Sequence, residues 1–425
     1  MTKEDVAITG MGMISPVGLN VEEAEASLRN ATSGVRLYEA PPIRKAFAAG
    51  AIPVQFEEQF AKLERPFLDR VQQMAILAAR QAIAQAGLEE FSAYGERAGL
   101  YYGNVNGGTA TILDWFQRLL LEGQQRSRPW TSMAIMGNGG GAQVAIRHRI
   151  SGPVITSASA CASSGVSIGE AARAIAHGDL DIAVAGGSEA ALTAPVLGTF
   201  DGTRAMSEPD PDDPSTTCRP FSRQRTGLVL GEGAAFVILE NARLARERGA
   251  PVLGYLGGYA CTNDAHHIGM PDSRGQVAAL RAAIAAAGLQ PADIAYVNAH
   301  ATATRGGDEI EAASIREVFG AGPEAAFVSS TKSVHGHLLG AASALEFVLT
   351  LLAMRIGIAP ASAHIGEPDP ACAVNHVGPV PRAMPIPHAL SFSCGFGGTN
   401  AALVISSCSK QSPSRPQGEV PCSTS

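Results

Sequence analysis

Cys161 stands in TSASACASSGVSIG (156–169), with small residues on both sides. Val154 and Ile155 before it read as the end of a short buried strand. Val166, Ile168, Ala171, Ala172 and Ile175 after it recur as a helix that ends near Gly178. The cysteine therefore falls at a strand-to-helix turn. A free cysteine is commonly a small core residue. A helix N-terminus behind it favours a thiolate instead, a nucleophile that can accept an acyl group as a thioester. Two histidines occupy tight settings of their own. His300 follows an apolar strand in NAHATATRGGDEIEA (298–312). His337 opens an apolar helix in SSTKSVHGHLLGAASALE (329–346), with Lys332 five residues before it. Either histidine alone also fits an element-end residue satisfied by a backbone partner. In SFSCGFGGTNAALVI (391–405), Gly395, Gly397 and Gly398 let backbone N–H groups approach a ligand closely. Imidazoles donating to a thioester carbonyl, with glycine-loop N–H groups as an oxyanion hole, suit acyl transfer and stabilisation of an enolate. Zinc is a competing use of the same residue types. HGH offers only i,i+2 spacing, without HExxH or CxxC, so no metal is expected. His266 and His267 in NDAHHIG read as polar turn residues.

The elements that must position these groups alternate between strand and helix patterns. Strands are expected at Val6–Thr9, Leu100–Tyr102, 182–187, 234–240, 251–260, 294–300, 388–393 and 401–406. Helices are expected at 70–87, 162–177, 276–288, 308–319 and 340–355. The alternation predicts an α/β protein with parallel or mixed sheets. A small-residue turn leads into a long apolar helix at 161–177 and again at 340–355, an echo that suggests two similar halves dividing near 250. These are an N-terminal half, 1–250, carrying the cysteine, and a C-terminal half, 251–407, carrying both histidines. The Ser- and Pro-rich stretch 408–425 is expected to be a disordered tail.

Composition narrows the class further. The 425 residues are 46% hydrophobic and 17% charged, with 47 glycines, which permits a substantial core with tight turns. A net charge of −7 argues against nucleic acid as a partner, which calls for a basic patch. The seven cysteines (161, 218, 261, 372, 394, 408 and 422) are an odd number without CxxC spacing, suggesting a reducing compartment. MTKEDVAITGMG has no signal-peptide pattern, and the longest apolar run, 338–359, is interrupted by Glu346 and Arg355. A soluble, cytoplasmic chain with no membrane partner is expected.

SACASS, NAHATATRGGDEIE, TKSVHGHLLGAASALE and GFGGTN, in this order and spacing, resemble the β-ketoacyl-[acyl-carrier-protein] synthases of the elongating type I/II group. VAITGMGMISPVG and CRPFSRQRTGLVLGEGAAFVILE resemble the same family, so the likeness runs from about residue 5 to 406. The resemblance implies a thiolase-like fold: an α/β duplication in five αβαβα layers, as a homodimer. It implies decarboxylative condensation of a Cys161-bound acyl group with a malonyl group on acyl carrier protein, in fatty-acid or polyketide/polyene elongation. No cofactor is permanently bound, because substrates ride on the carrier's phosphopantetheine. His300 and His337 match the pair that binds the malonyl thioester carbonyl, and Lys332 a supporting lysine. The backbone N–H groups of Cys161 and Phe396 match the oxyanion hole, and Thr302 and Thr304 the threonines that bind pantetheine. Asp308, Glu311 and Glu346 match supporting acids. Asn106, Phe200, Cys394 and the gating Phe396 are placed at the acyl pocket. The sequence departs from the family pattern at Ala301 and Ser343, each replacing a glycine, and at Cys394, replacing a phenylalanine. With Asn106, Cys394 is expected to reshape the acyl pocket toward a short, unsaturated or oxygenated chain. Two rivals stand beside this reading. A CoA-dependent thiolase would use Cys394 as its second cysteine, although His337 in TKSxxGH fits a decarboxylating enzyme. A chain-length-factor-like subunit would typically lack the nucleophile, which is present here. A heterodimer in which this chain is the active half stays open.

Overall fold

Ten strands form two matching sets of five. The computed structural model describes residues 5–408, so residues 409–425 of the expected tail, Cys422 among them, lie outside it. The first set comprises β1 (Val6–Ile14), β4 (Ala98–Gly103), β5 (Val154–Ser157), β6 (Ile182–Ala190) and β7 (Leu230–Asn241). A hairpin of β2 (Val35–Glu39) and β3 (Ala46–Gly50) joins its margin through β7. The second set comprises β8 (Gly254–Asn263), β9 (Tyr296–Asn298), β10 (Phe327–Ser329), β13 (His388–Cys394) and β14 (Thr399–Ser406). The short pair β11 (Ile358–Ala359) and β12 (Arg382–Ala383) stands apart. In space the first set runs β1-β7-β6-β4-β5 and the second β8-β14-β13-β9-β10. Each has two antiparallel pairings followed by two parallel ones. This identity of order and direction is the duplication that the sequence only echoes. Two residue pairs, Ala7↔Tyr255 and Ile8↔Gly254, join the sets edge to edge.

Strand alternation builds the layers. On β7, Ala235, Val237 and Leu239 face one core while Ala234, Phe236 and Ile238 face another. The first core holds the helices Ser163–His177 and Ala342–Ile356 between the two sheets. On β14, Leu403 and Ile405 reach the same central core, and Ala402 and Val404 the opposite face. The outer layers are the helices Arg70–Gln85 and Gly139–His148 on one side, and Ser273–Ala286 and Arg305–Phe319 on the other. The result is the five-layer αβαβα arrangement. Leu339–Ile356, the one span among the described residues long and apolar enough to cross a membrane, is 89% buried as part of this central layer.

Two local features bring the nucleophile helix into place. Its C-terminus closes on Gly178, whose left-handed backbone (φ 84°) returns its N–H to the carbonyls of Ala174 and Ile175. On β4, a Cβ at Gly103 would lie 2.3 Å from the backbone nitrogen of Ser164, so only glycine allows the helix to dock this closely. The expectation of a buried strand before Cys161 needs correction. β5 is an edge strand, and Val154 and Ile155 are 42% and 45% exposed. A short apolar run looks the same whether a neighbouring strand covers it or not.

Candidate active site

Cys161 sits in a tight helical turn, Ala160–Ala162, that leads directly into the Ser163–His177 helix. The turn is strained and stitched in place. Ala160 takes φ 49°, unusual for a residue with a Cβ. Ser163 Oγ donates to the Ala160 carbonyl at 2.6 Å and accepts the Ser159 N–H at 2.9 Å. From the second half, Ser343 Oγ donates to the Cys161 carbonyl at 2.9 Å. The departure from glycine at Ser343 thus ties the central helix of one half to the nucleophile of the other.

Both histidines converge on this sulfur. His337 Nε2 lies 2.9 Å from Cys161 Sγ. The His300 ring meets the His337 ring edge-on, with centroids 5.3 Å apart at 87°. Lys332 Nζ lies 3.4 Å from His300 Nδ1 and forms a fully buried ion pair with Glu346. Ser393 Oγ donates to the other Glu346 oxygen at 3.5 Å. The strand-end loop bearing His300 is held by carboxylates. Glu311 accepts the N–H groups of His300 (2.6 Å) and Ala301 (2.7 Å), and Asp308 those of Ala303 (3.1 Å) and Phe221 (2.8 Å). The backbone N–H of Phe396 lies near enough to favour the charged form of the Cys161 sulfur. Its loop comes this close because Gly395 has no side chain: a Cβ there would lie 2.8 Å from the Ser159 carbonyl oxygen.

Burial sets the protonation states. The Cys161 thiol is pushed up to about 12 by loss of solvation, against the opposing pull of Lys332 and the Phe396 N–H. The thiolate expected at the helix N-terminus is therefore not the resting form. His300 and His337 are held well below the ordinary imidazole range by burial and then by Lys332, so both are neutral. Burial lifts Glu346 to about 7 and Glu311 to about 8. One prediction follows directly. The alkylation rate of Cys161 by iodoacetamide, followed by intact mass, is expected to climb roughly tenfold per pH unit between about pH 8 and 10. A plateau near pH 9, where an ordinary thiol of pKa about 8.5 saturates, would contradict it.

A cavity of about 620 Å³ opens onto this group. Cys161, His300, His337, Thr302, Thr304, Glu311, Phe200, Cys394 and Phe396 all line it. Thr302 and Thr304 share a hydrogen bond at 3.1 Å on one wall. Phe200 and Phe396 stack at 6.5 Å, and Phe396 is half exposed. Lys332, Glu346 and Asp308 lie behind the cavity rather than on its surface. Asn106 departs from expectation. It is not among the lining residues, because its amide donates to the buried Glu189 carboxylate at 3.1 Å. Glu189 also accepts the N–H groups of Val105 and Gly340, which makes it a brace for the loops around the turn.

Two residues of the site were not singled out from sequence. Gln276, buried on the cavity wall, places its amide 3.4 Å from Cys394 Sγ and is fixed by Ser314 at 2.8 Å. Arg225, within the CRPFSRQRTGL stretch, bonds Asp369 (2.6 Å), Glu309 (2.8 Å) and the Arg305 carbonyl (3.0 Å), clamping the segment that carries Thr302 and Thr304. Its position in a basic, polar stretch gave no sign of burial. Cys394 itself is a neutral thiol, pushed well above its usual range by burial and by Glu311 and Asp264.

Comparison with known proteins gives the family. The profile of the Beta-ketoacyl synthase N-terminal domain matches residues 3–245, and that of the C-terminal domain matches residues 253–366. The 3-oxoacyl-[acyl-carrier-protein] synthase 2 of Coxiella burnetii is 36% identical over 417 residues, covering 96% of this chain and 99% of that protein. The ishigamide ketosynthase/chain length factor structure superposes with a TM-score of 0.88 at 30% identity, over 96% of this chain and 100% of that one. The AntDE:AntF structure, a type II polyketide synthase acyl-carrier protein in complex with its ketosynthase bound to the hexaketide, gives 0.85 at 26% identity, over 96% and 100%. The chain belongs to the β-ketoacyl synthase family.

Proposed function

We propose that this chain condenses a Cys161-bound acyl group with malonyl-acyl carrier protein, releasing CO2 and giving 3-oxoacyl-acyl carrier protein. The observation that carries the reading is the convergence of one thiol and two neutral imidazoles at the floor of a cavity. In the first half-reaction Sγ attacks the acyl thioester and its proton passes to the departing carrier sulfur, while His337 keeps its Nε2–H as a donor beside Sγ. The oxyanion is met by the N–H groups of Cys161 and Phe396, and the carrier thiolate leaves with the proton. In the second, the malonyl thioester carbonyl accepts hydrogen bonds from His300 and His337, the C–C bond to the carboxylate breaks, and CO2 departs. The carbanion then attacks the acyl-cysteine, and the expelled Cys161 thiolate takes up a proton from solvent. Neutral imidazoles suit this step, since each donates one N–H and neither offers an acidic proton to quench the carbanion. Thr302 and Thr304 hold the pantetheine arm on the cavity wall, and the Phe200–Phe396 stack gates entry. Glu311, Asp308 and the Lys332–Glu346 pair hold the histidine loops. Cys394 and Gln276 shape the pocket wall, and no resident cofactor or metal takes part.

His300→Ala is expected to slow CO2 release from malonyl-carrier by on the order of 10²–10⁴-fold. The acyl adduct on Cys161 is expected to form within about tenfold of the parent rate, because His337 and the oxyanion donors remain. Equal losses in both half-reactions would count against the assignment.

The carrier protein is the partner implied by the chemistry, and a paired ketosynthase fold the second. An apolar surface supports the pairing. The edge of β5 exposes Val154 and Ile155, and the adjoining helices Gly139–His148, Thr131–Ile135 and Thr109–Leu121 add Ile146, Met133, Phe116 and Leu120. A patch of this kind beside an open strand edge marks a protein interface. A second copy fits it as a homodimer, and the ishigamide ketosynthase/chain length factor neighbour favours a related subunit as the alternative. The reading places the enzyme in the cytoplasm, where carrier-bound substrates and reduced thiols are found.

A further inference from the structure

The groups that make Cys161 an acyl acceptor also form a tripod of soft and borderline metal ligands. Cys161 Sγ and one ring nitrogen each of His300 and His337 lie within 4.8 Å of one another. Zinc bound to one thiolate at about 2.3 Å and two imidazoles at about 2.0–2.1 Å in a tetrahedron separates its ligand atoms by roughly 3.3–3.6 Å. The 2.9 Å contact between Cys161 Sγ and His337 Nε2 has to open by roughly 0.6–0.7 Å, and the other separations, all within 4.8 Å, have to adjust to the same range. Lys332 Nζ sits at His300 Nδ1, which leaves Nε2 of that ring for a metal. All three ligands face the cavity, so a fourth coordination position stays open to water, as in sites with three protein ligands. A thiolate with two imidazoles selects zinc over magnesium or calcium, which prefer oxygen. Sequence spacing cannot reveal such a site, because its ligands come from three distant segments.

We propose that Cys161, His300 and His337 form an inhibitory Zn²⁺ site whose occupation and acyl loading exclude each other. Binding forms one Zn–S and two Zn–N bonds and releases the Sγ proton to solvent. The ion then fills the space that the incoming thioester carbonyl needs. Lys332, 3.4 Å from His300, opposes a dication, while its ion pair with Glu346 offsets that repulsion. The affinity is accordingly reversible, and chelators restore the free thiol. The metal site itself stands on the ligand geometry, while its inhibitory meaning rests on the proposed function.

The test uses the full chain with Cys261→Ser and Cys408→Ser, which removes the exposed cysteines among the described residues. Titration with Co²⁺ is expected to give a thiolate-to-cobalt charge-transfer band at one ion per chain, abolished by added Zn²⁺. Cys161→Ala, with its circular dichroism unchanged, is expected to lose the band. Independently, Zn²⁺ is expected to slow iodoacetamide alkylation of Cys161 at least tenfold, with full recovery on adding EDTA. A band that persists in Cys161→Ala, or alkylation indifferent to Zn²⁺, overturns the site. Protection by Zn²⁺ in a protein that accepts no acyl group would leave the site standing and remove the proposed function. Normal acyl loading unaffected by Zn²⁺ would do the reverse.

Discussion

Cys161→Ala is expected to eliminate the acyl adduct and to lower condensation by on the order of 10⁴–10⁶-fold, the cost of losing a covalent nucleophile. Nothing else in the site offers a replacement. Cys394 lines the same cavity, but its hydrogen-bond partner is the Gln276 amide, whereas Cys161 has His337 Nε2 at 2.9 Å and Lys332 favouring its charged form. The substitution removes one sulfur from a turn fixed by Ser163 and Ser343, so the fold should survive it. Decarboxylation of malonyl-carrier is expected to continue in the variant, because His300, His337 and the cavity remain. Carbon dioxide release without 3-oxoacyl product, measured on one sample, would separate the two half-reactions. Retained condensation would remove Cys161 from the mechanism.

The second large effect concerns stability. Lys332 and Glu346 are both fully buried and paired with each other. Glu346→Ala leaves the lysine without its counter-ion in the central layer, a loss of about 3–5 kcal/mol. Urea unfolding should show the midpoint falling accordingly. Lys332→Met combined with Glu346→Leu removes both charges and should recover most of that stability, since a buried pair seldom outweighs a well-packed apolar one. Activity should not return in the double variant, because His300 then lacks its neighbour at Nδ1. A single variant within about 1 kcal/mol of the parent would mean that water or another group compensates the lysine.

The sequence made the chemistry legible where residue type and local pattern act together. Small residues around Cys161, glycines in the GFGG loop and an apolar strand ending at His300 each encode a close approach, and the structure brings all three to one cavity. Long periodic elements such as the Arg70–Gln85 helix and β7 were equally readable, because alternation and helical spacing survive in any context. What stayed hidden depended on neighbours distant in the chain. The edge position of β5 cannot be told from a buried strand by its own four residues. The helix N-terminus suggested a thiolate, whereas loss of solvation keeps the thiol protonated. Asn106 reads as a pocket residue until Glu189, from a different strand, claims its amide. Ser343 looks like a loss of a glycine, and only the fold shows its hydroxyl on the Cys161 carbonyl. The duplication was a faint echo in sequence because side chains diverge while strand order does not.

The most direct measurement is intact-protein mass spectrometry of the purified chain, first with acyl-carrier proteins of varied length and unsaturation, then after adding malonyl-carrier. The account predicts one acyl adduct on Cys161, absent in Cys161→Ala, that disappears on the second addition as 3-oxoacyl-carrier forms. An adduct on another residue, or product formed with no adduct at any stage, would contradict it.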